Sequence, residues 1–238
     1  MRLDIFLFHN KFTQSRNKAI ELIKNGFIKL NNEIILKPSF NVDSTLKNNI
    51  EILKKDIFVS RAGEKLDSYI RDNNIIFNGL DILDIGSSKG GFAQVLLKYG
   101  ANSVTCVDIG CNQLDKALRD DSRIKLFESC DIKDFHTNKK FDFIVCDVSF
   151  ISLKCIIEHI YTLASNEILL LFKPQFEVGK NIKRNKKGVV IDKNAINNSL
   201  NLFISYLKNN GFIIKNIEAS KFKGKEGNEE IFINIKKK

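Results

Sequence analysis

Leu83-Asp84-Ile85-Gly86-Ser87-Ser88-Lys89-Gly90-Gly91-Phe92 decides the fold of this 238-residue chain. The apolar run Ile82–Ile85 has a β-branched bias and reads as a buried strand that stops at Gly86. Small residues follow, then Gly90 and Gly91, and the spacing of Phe92, Val95, Leu96 and Leu97 predicts a helix. Strand, glycine-rich turn and helix form the first unit of a doubly wound sheet, with a ligand crevice at the strand's carboxyl end. Glycines let the backbone approach a ligand closely, and a helix start offers free N–H donors.

The ligand follows from what the turn lacks. Gly86 is followed by Ser87, so the G-x-G-x-x-G pyrophosphate fingerprint is incomplete. Acidic residues stand at two strand ends instead: Asp84, and Asp108 after Val104-Thr105-Cys106-Val107. A carboxylate after the second strand suits a ribose diol. This order resembles the S-adenosylmethionine site of Rossmann-like methyltransferases. The resemblance implies Asp84 and Gly86 beside the methionine part and Asp108 beside the ribose. The competing reading is a turn whose glycines serve packing alone.

Composition bounds the rest. With 43% hydrophobic residues the chain can bury a sizeable core and room remains for a second, smaller domain. Five cysteines without regular spacing argue for reduced thiols and a cytoplasmic protein. With only three histidines no zinc site is expected. No segment approaches the ~20 apolar residues of a membrane span. Asp4, His9 and Lys11 interrupt any signal-peptide core. The formal net charge of +10 favours a polyanionic partner, although lysine is abundant throughout.

Residues 1–55 read as a separate small α+β domain. Leu3, Phe6 and Leu7 line one side of a short amphipathic segment. Thr13-Gln14-Ser15-Arg16 caps a helix that buries Ala19, Leu22 and Ile23 and ends at Asn25-Gly26. Phe27–Leu30, a turn at Asn31-Asn32-Glu33, and Ile34–Leu36 predict a hairpin. This order resembles an S4-type RNA-binding domain, which implies phosphate contacts from Arg2, Arg16, Lys18 and Lys29. A solvated helix face is the plainer alternative. Residues 56–64 are expected to be a linker.

From residue 65 to 238 strands and helices alternate in the α/β pattern. Strands are expected near Asp81–Ile85, Ser103–Asp108, Ile124–Phe127, Phe141–Val148, Glu167–Phe172, Phe212–Ala219 and Glu229–Ile235. Helices are expected at Lys65–Asp72, Phe92–Tyr99, Asn112–Leu118, Leu153–Leu163 and Lys193–Asn209. Residues 180–187 form a basic loop carrying Lys180, Lys183, Arg184, Lys186 and Lys187.

Chemistry gathers at the ends of the later strands. The fourth strand ends in Asp147, without the Asn-Pro-Pro-aromatic run of enzymes that methylate exocyclic amines. Cys146 has no proline neighbour, and strand alternation turns it away from the side of Asp147, so it reads as a core thiol. The next strand ends in Lys173-Pro174-Gln175-Phe176-Glu177, and Lys65 and the Gly227-Asn228-Glu229-Glu230 run approach the same crevice. Two lysines and two acids suit activation of a ribose 2′-hydroxyl, a poor nucleophile that must lose its proton. Surface ion pairing is the alternative, strongest for Glu229 and Glu230 taken singly.

Phe58–Leu66, Leu83–Phe92, Asp147–Leu153, Lys173–Glu177, Lys187–Val190 and Gly227–Glu230 together resemble the TlyA family. That family joins an S4 domain to an FtsJ-like rRNA cytidine-2′-O-methyltransferase and is often labelled haemolysin A. The resemblance implies a Rossmann-like sheet with helices on both faces and a catalytic Lys65, Asp147, Lys173 and Glu230, with Glu229 the alternative under a one-residue shift. It implies S-adenosylmethionine held by Asp84, Gly86, Ser87, Ser88, Gly90, Gly91, Phe92, Asp108, Asp131 and Asp147. It adds Arg61, Lys183 and Arg184 to the RNA contacts, with ribosomal RNA in a ribosomal subunit as partner, and neither membrane nor metal. Asp56-Ile57-Phe58-Val59 lacks the Arg and Trp that this linker can carry, and Lys89 stands where Thr is frequent. The span of the match resembles the shorter subtype, whose expected target is a large-subunit cytidine. A membrane-active haemolysin and a non-catalytic assembly factor are the other functions to weigh.

Overall fold

Leu3, Leu7, Ala19, Leu22 and Ile23 recur at helical spacing, and all are fully buried. They are the core of the first of two units, Met1–Ile57 and Phe58–Lys238, into which the computed structural model of the chain divides. The structure describes residues 1–53 and 56–238; Lys54 and Lys55, where the expected first domain ends, lie outside the described residues. Helix α1 spans Leu3–His9, and α2 spans Arg16–Lys24 with Ser15 as its cap, whose Oγ accepts the Lys18 N–H at 3.2 Å. The hairpin is shorter than expected: β1, Ile28–Leu30, and β2, Glu33–Ile34, flank Asn31 and Asn32 in the left-handed region that such a turn demands. A third strand, β3 at Ile50–Ile52, pairs with the other edge of β1 and was not expected. Three residues are too few for alternation to announce a strand.

In the second unit, α3 runs Arg61–Asn73, so the last four residues of the expected linker are its first turn. Then follow β4 (Asp81–Ile85), α4 (Gly91–Lys98), β5 (Ser103–Val107), α5 (Lys116–Arg119), β6 (Ile124–Phe127) and β7 (Phe141–Cys146). The chain ends with α6 (Ile157–Leu163), β8 (Ala164–Phe172), α7 (Pro174–Glu177), α8 (Lys193–Asn209), β9 (Phe212–Ala219) and β10 (Ile231–Lys237). Two expected helices are shorter. Asn112 adopts a positive φ and Asp115 caps the Ala117 N–H, so α5 begins late. Ser152 caps a 3₁₀ turn at Leu153–Cys155, and α6 starts only after Ile156. The last strand starts at Ile231, leaving Glu230 on its threshold.

Among the described residues the sheet has seven strands in the order β6-β5-β4-β7-β8-β10-β9, with β10 antiparallel to both neighbours and the rest parallel. Alternation along β8 sends Ile168, Leu170 and Phe172 to one apolar layer with α6 and α8, and Leu169 and Leu171 to another with α3 and α4. Helices therefore cover both faces, as expected for a Rossmann-like sheet. Order reverses between β4 and β7, and the crevice opens at their carboxyl ends.

Candidate active site

At the crevice Gly86 faces the loop after β7. Gly86 has φ +80°, and a Cβ there would lie 2.8 Å from the Asp147 carbonyl oxygen, so only glycine lets the two strand ends approach this closely. On one side a cavity of about 680 Å³ is lined by Gly86, Ser88, Asp108, Asp131, Ile132 and Asp147. Backbone N–H groups fix the Asp108 carboxylate: Ser88 donates at 2.7 Å and Gly110 at 2.6 Å. Asp131 accepts the Lys133 N–H at 3.0 Å and opens a 3₁₀ turn at the cavity wall.

Asp84 lies beneath this loop, fully buried, with no hydrogen-bond partner for either oxygen among the described residues; the Ser87 hydroxyl is likewise unpartnered. Burial pushes the Asp84 carboxyl well above the usual carboxylate range, and the charges of Asp147 and Asp108 push it further. Unsatisfied buried polar atoms are uncommon away from functional sites. They, the glycine cradle and the fixed Asp108 fit a small polar ligand with a diol. Gly90 and Gly91 do not line the cavity; they are buried against Leu114 and Leu118, and against Ser60 and Gly63. Phe92 instead borders the second cavity.

That second cavity, about 740 Å³, is lined by Lys65, Asp147, Lys173 and Glu230. Lys65 Nζ lies 2.6 Å from Glu230 Oε2, and Lys173 Nζ lies 2.6 Å from Asp147 Oδ1. Each partner comes from a different element. Lys65 sits in the second turn of α3, and Asp147 directly follows β7. Ile231 pairs with Phe172 across the antiparallel β10–β8 ladder, which brings Glu230 beside Lys173. Glu229 is turned outward: its side chain is 69% exposed and meets Lys223 at 3.0 Å, whereas that of Glu230 is 4% exposed. Strand alternation separates the two acids. The two cavities share Gly86, Ser88, Asp147, Ser149 and Phe150. Cys146 is a core thiol, pushed up to about 12 by burial.

Two features here escaped the sequence. Lys173 Nζ donates to Ser149 Oγ at 3.0 Å, which holds the ammonium from a second direction. Phe150, 91% exposed at φ +67°, tilts against Phe176 with ring centroids 5.1 Å apart. A bulky residue in the left-handed region is uncommon and clusters at functional sites. No periodic signal marks either residue.

The expected RNA contacts divide. Arg2 and Arg16 both grip the buried Asp4, at 2.9 and 2.8 Å, and Arg2 above all, then Arg16, hold its carboxyl down at about 2. Half of each arginine side chain remains exposed. Lys29 meets Glu51 at 3.4 Å. Lys18 departs from expectation: its side chain is buried and paired with Glu21 at 2.8 Å, on the core side of α2. Arg61 is exposed and borders the second cavity, and Lys183 is exposed. Arg184 also departs, because its guanidinium donates to the carbonyls of Gly179, Ile182, Lys180 and Gln175 at 2.8–3.3 Å. Among the described residues no group of three or more His, Cys, Asp or Glu could hold a metal, and no helix is long and apolar enough to cross a membrane.

Comparison with known proteins follows this division. The FtsJ-like methyltransferase family model matches residues 58–237, and the S4 domain model matches residues 1–46. The chain is 43% identical to the 23S rRNA (cytidine-2′-O)-methyltransferase TlyA of Campylobacter jejuni, covering 98% of each. It is 36% identical to Hemolysin A of Brachyspira hyodysenteriae, covering 97% of each. A solved structure of a candidate hemolysin from Streptococcus thermophilus superposes with a TM-score of 0.74 at 28% identity, over 100% of this chain and 88% of that one.

Proposed function

The chain belongs to the TlyA family, an S4 domain followed by an FtsJ-like methyltransferase, and on that premise we propose that it methylates the ribose 2′-hydroxyl of a cytidine in large-subunit rRNA. The observation that carries the reading is the meeting of two lysine–carboxylate pairs in one cavity, beside a second cavity that shares Gly86 and Asp147 with it. The reaction is rRNA 2′-O-methylation. S-adenosylmethionine, when bound, supplies an electrophilic methyl group on a sulfonium. Asp108, Asp131, Gly86 and Ser88 would hold it, over the unpartnered Asp84.

The chain's own residues manage the acceptor. The Lys173 ammonium stabilises the negative charge that develops on the 2′-oxygen as its proton is lost to water. Asp147 and Ser149 orient the Lys173 ammonium. Lys65 shares the work, held by Glu230. These are roles for groups already positioned in the folded protein, which is what makes positioning effective. The exposed ring of Phe150 offers a face on which an unstacked base can rest. The Met1–Ile57 unit supplies rRNA affinity through Arg2, Arg16 and Lys29.

Mass mapping of rRNA from cells with and without the gene tests the reading. One ribose methyl on a cytidine, present only with the gene, is the expected result. A methyl on the base, or none, would overturn it.

A further inference from the structure

Residues 180–187 read in the sequence as a basic loop with Lys183 and Arg184 as expected RNA contacts, and the structure makes 180–191 a built hairpin. Asn185, Lys186, Lys187 and Gly188 form a turn closed by the Gly188 N–H on the Asn185 carbonyl at 2.9 Å. The Asn185 side chain accepts the Lys187 N–H at 2.8 Å and the Val189 N–H at 3.0 Å. Arg184 and Val190 pair as an antiparallel bridge, so the turn is the tip of a short hairpin. One arm is stapled by Arg184 to four carbonyls, as described above. The other is anchored where the buried Asn228 side chain accepts the Val190 N–H at 3.0 Å, two residues before Glu230.

This construction leaves the charge outside. Lys180, Lys183, Lys186 and Lys187 are all exposed, and among the described residues none pairs with a carboxylate. The four residues of the first unit expected to contact phosphate contrast with them, since Arg2, Arg16, Lys18 and Lys29 each meet an acid. Lys187, Gly188 and Arg184 border the cavity that holds Lys65 and Lys173, with Lys225 and Glu226 on the same rim.

We propose that the 180–191 hairpin is a preformed phosphate-binding surface for the RNA strand that flanks the acceptor nucleotide, with Lys183, Lys186 and Lys187 as contacts and Arg184 as the internal staple. The inference rests on the rRNA reading above and adds to it the surface that receives the backbone. Its basis is charge complementarity: unpaired lysines beside the cavity the acceptor must enter, on a backbone already ordered. A positioned cation releases counterions on meeting a phosphate, so each contact contributes to the salt dependence of binding.

The test uses the full chain and deproteinised rRNA from cells lacking the gene. Affinity is measured across a salt series for the wild type and for the Lys186→Gln/Lys187→Gln double variant, with S-adenosylmethionine calorimetry as the control for folding. The slope of log Kd against log salt should shrink by about 1.4–1.8, the amount for two lost contacts. Lys186→Arg/Lys187→Arg should restore it. Weaker binding with an unchanged slope, or unchanged binding, overturns the surface. For the staple, Arg184→Lys should speed hydrogen exchange at Val189 and Val190 before RNA is added, because an ammonium cannot span four carbonyls. Unchanged protection with weakened RNA binding would make Arg184 a phosphate ligand instead and overturn its internal role. A wild type that methylates no rRNA fails the parent reading; one that methylates while the double variant keeps its slope fails this inference alone.

Discussion

At the residue scale, Lys173 and Asp84 carry the sharpest expectations. Lys173 reaches Asp147 and Ser149 and lies beside Glu230 in the fold, so its loss removes a group already aimed at the cavity. A positioned acid or base contributes ~10²–10⁴-fold, and Lys173→Ala should lower single-turnover rates by about that amount at saturating RNA and cofactor. Cofactor affinity should hold. Rescue of the rate by saturating RNA would show that Lys173 serves binding only. Asp84 gives a pH signature. Its carboxyl is raised above 3.8 in the folded chain, chiefly by burial. Above that value the unfolded chain releases a proton that the folded one retains, so this group lowers stability as pH rises. Asp84→Asn should therefore raise Tm more at pH 8 than at pH 4, and an equal shift at both values would refute the protonation argument.

At the scale of elements, α3 and α4 meet through glycine. A Cβ on Gly63 would lie 2.7 Å from Phe58 Cβ and 3.0 Å from the Gly91 carbonyl oxygen. Gly63 is on the same helix as Lys65, two residues earlier, and Gly91 opens the helix that follows the glycine turn. Gly63→Ala should overpack this contact, at a cost of about 1–3 kcal/mol. Denaturant unfolding should show a lower midpoint with an unchanged m-value. Methyl transfer should also fall, since α3 carries Lys65. Unaltered stability would mean that the helices part without cost. Strand ends and helix starts show how far local signals reached. Asp81–Ile85, Ile124–Phe127 and Lys193–Asn209 have the expected bounds because their apolar periods run unbroken between clear stops. The helix expected at Asn112–Leu118 shrank because Asp115 offered the backbone a competing cap.

For the whole molecule, the division between Met1–Ile57 and Phe58–Lys238 sets the expected behaviour of a truncated chain. Each unit has its own apolar core. Phe58–Lys238 alone should unfold cooperatively and retain S-adenosylmethionine binding in calorimetry, while rRNA methylation in a radiolabel assay falls to background. Full activity of the truncated chain on rRNA would contradict the division of labour between rRNA affinity and chemistry.

By itself the sequence determined the α/β alternation, the glycine turn at Gly86, the acids at Asp84, Asp108 and Asp147, the lysines Lys65 and Lys173, and a pair of candidate glutamates, Glu229 and Glu230, near the end of the chain. Such features are local: periodicity, caps and strand-end chemistry act over a few residues. Only the tertiary structure decided which glutamate faces inward, since the β10–β8 register sets Glu230 opposite Lys173 and leaves Glu229 outside. It also buried Lys18, turned Arg184 onto four carbonyls, and, among the described residues, left Lys186 and Lys187 without acids. A basic residue reads the same in sequence whether it meets a carboxylate, a carbonyl or water. What separates these outcomes is the distance to groups far along the chain, 165 residues in the pair Lys65–Glu230, and that distance is a property of the packed sheet.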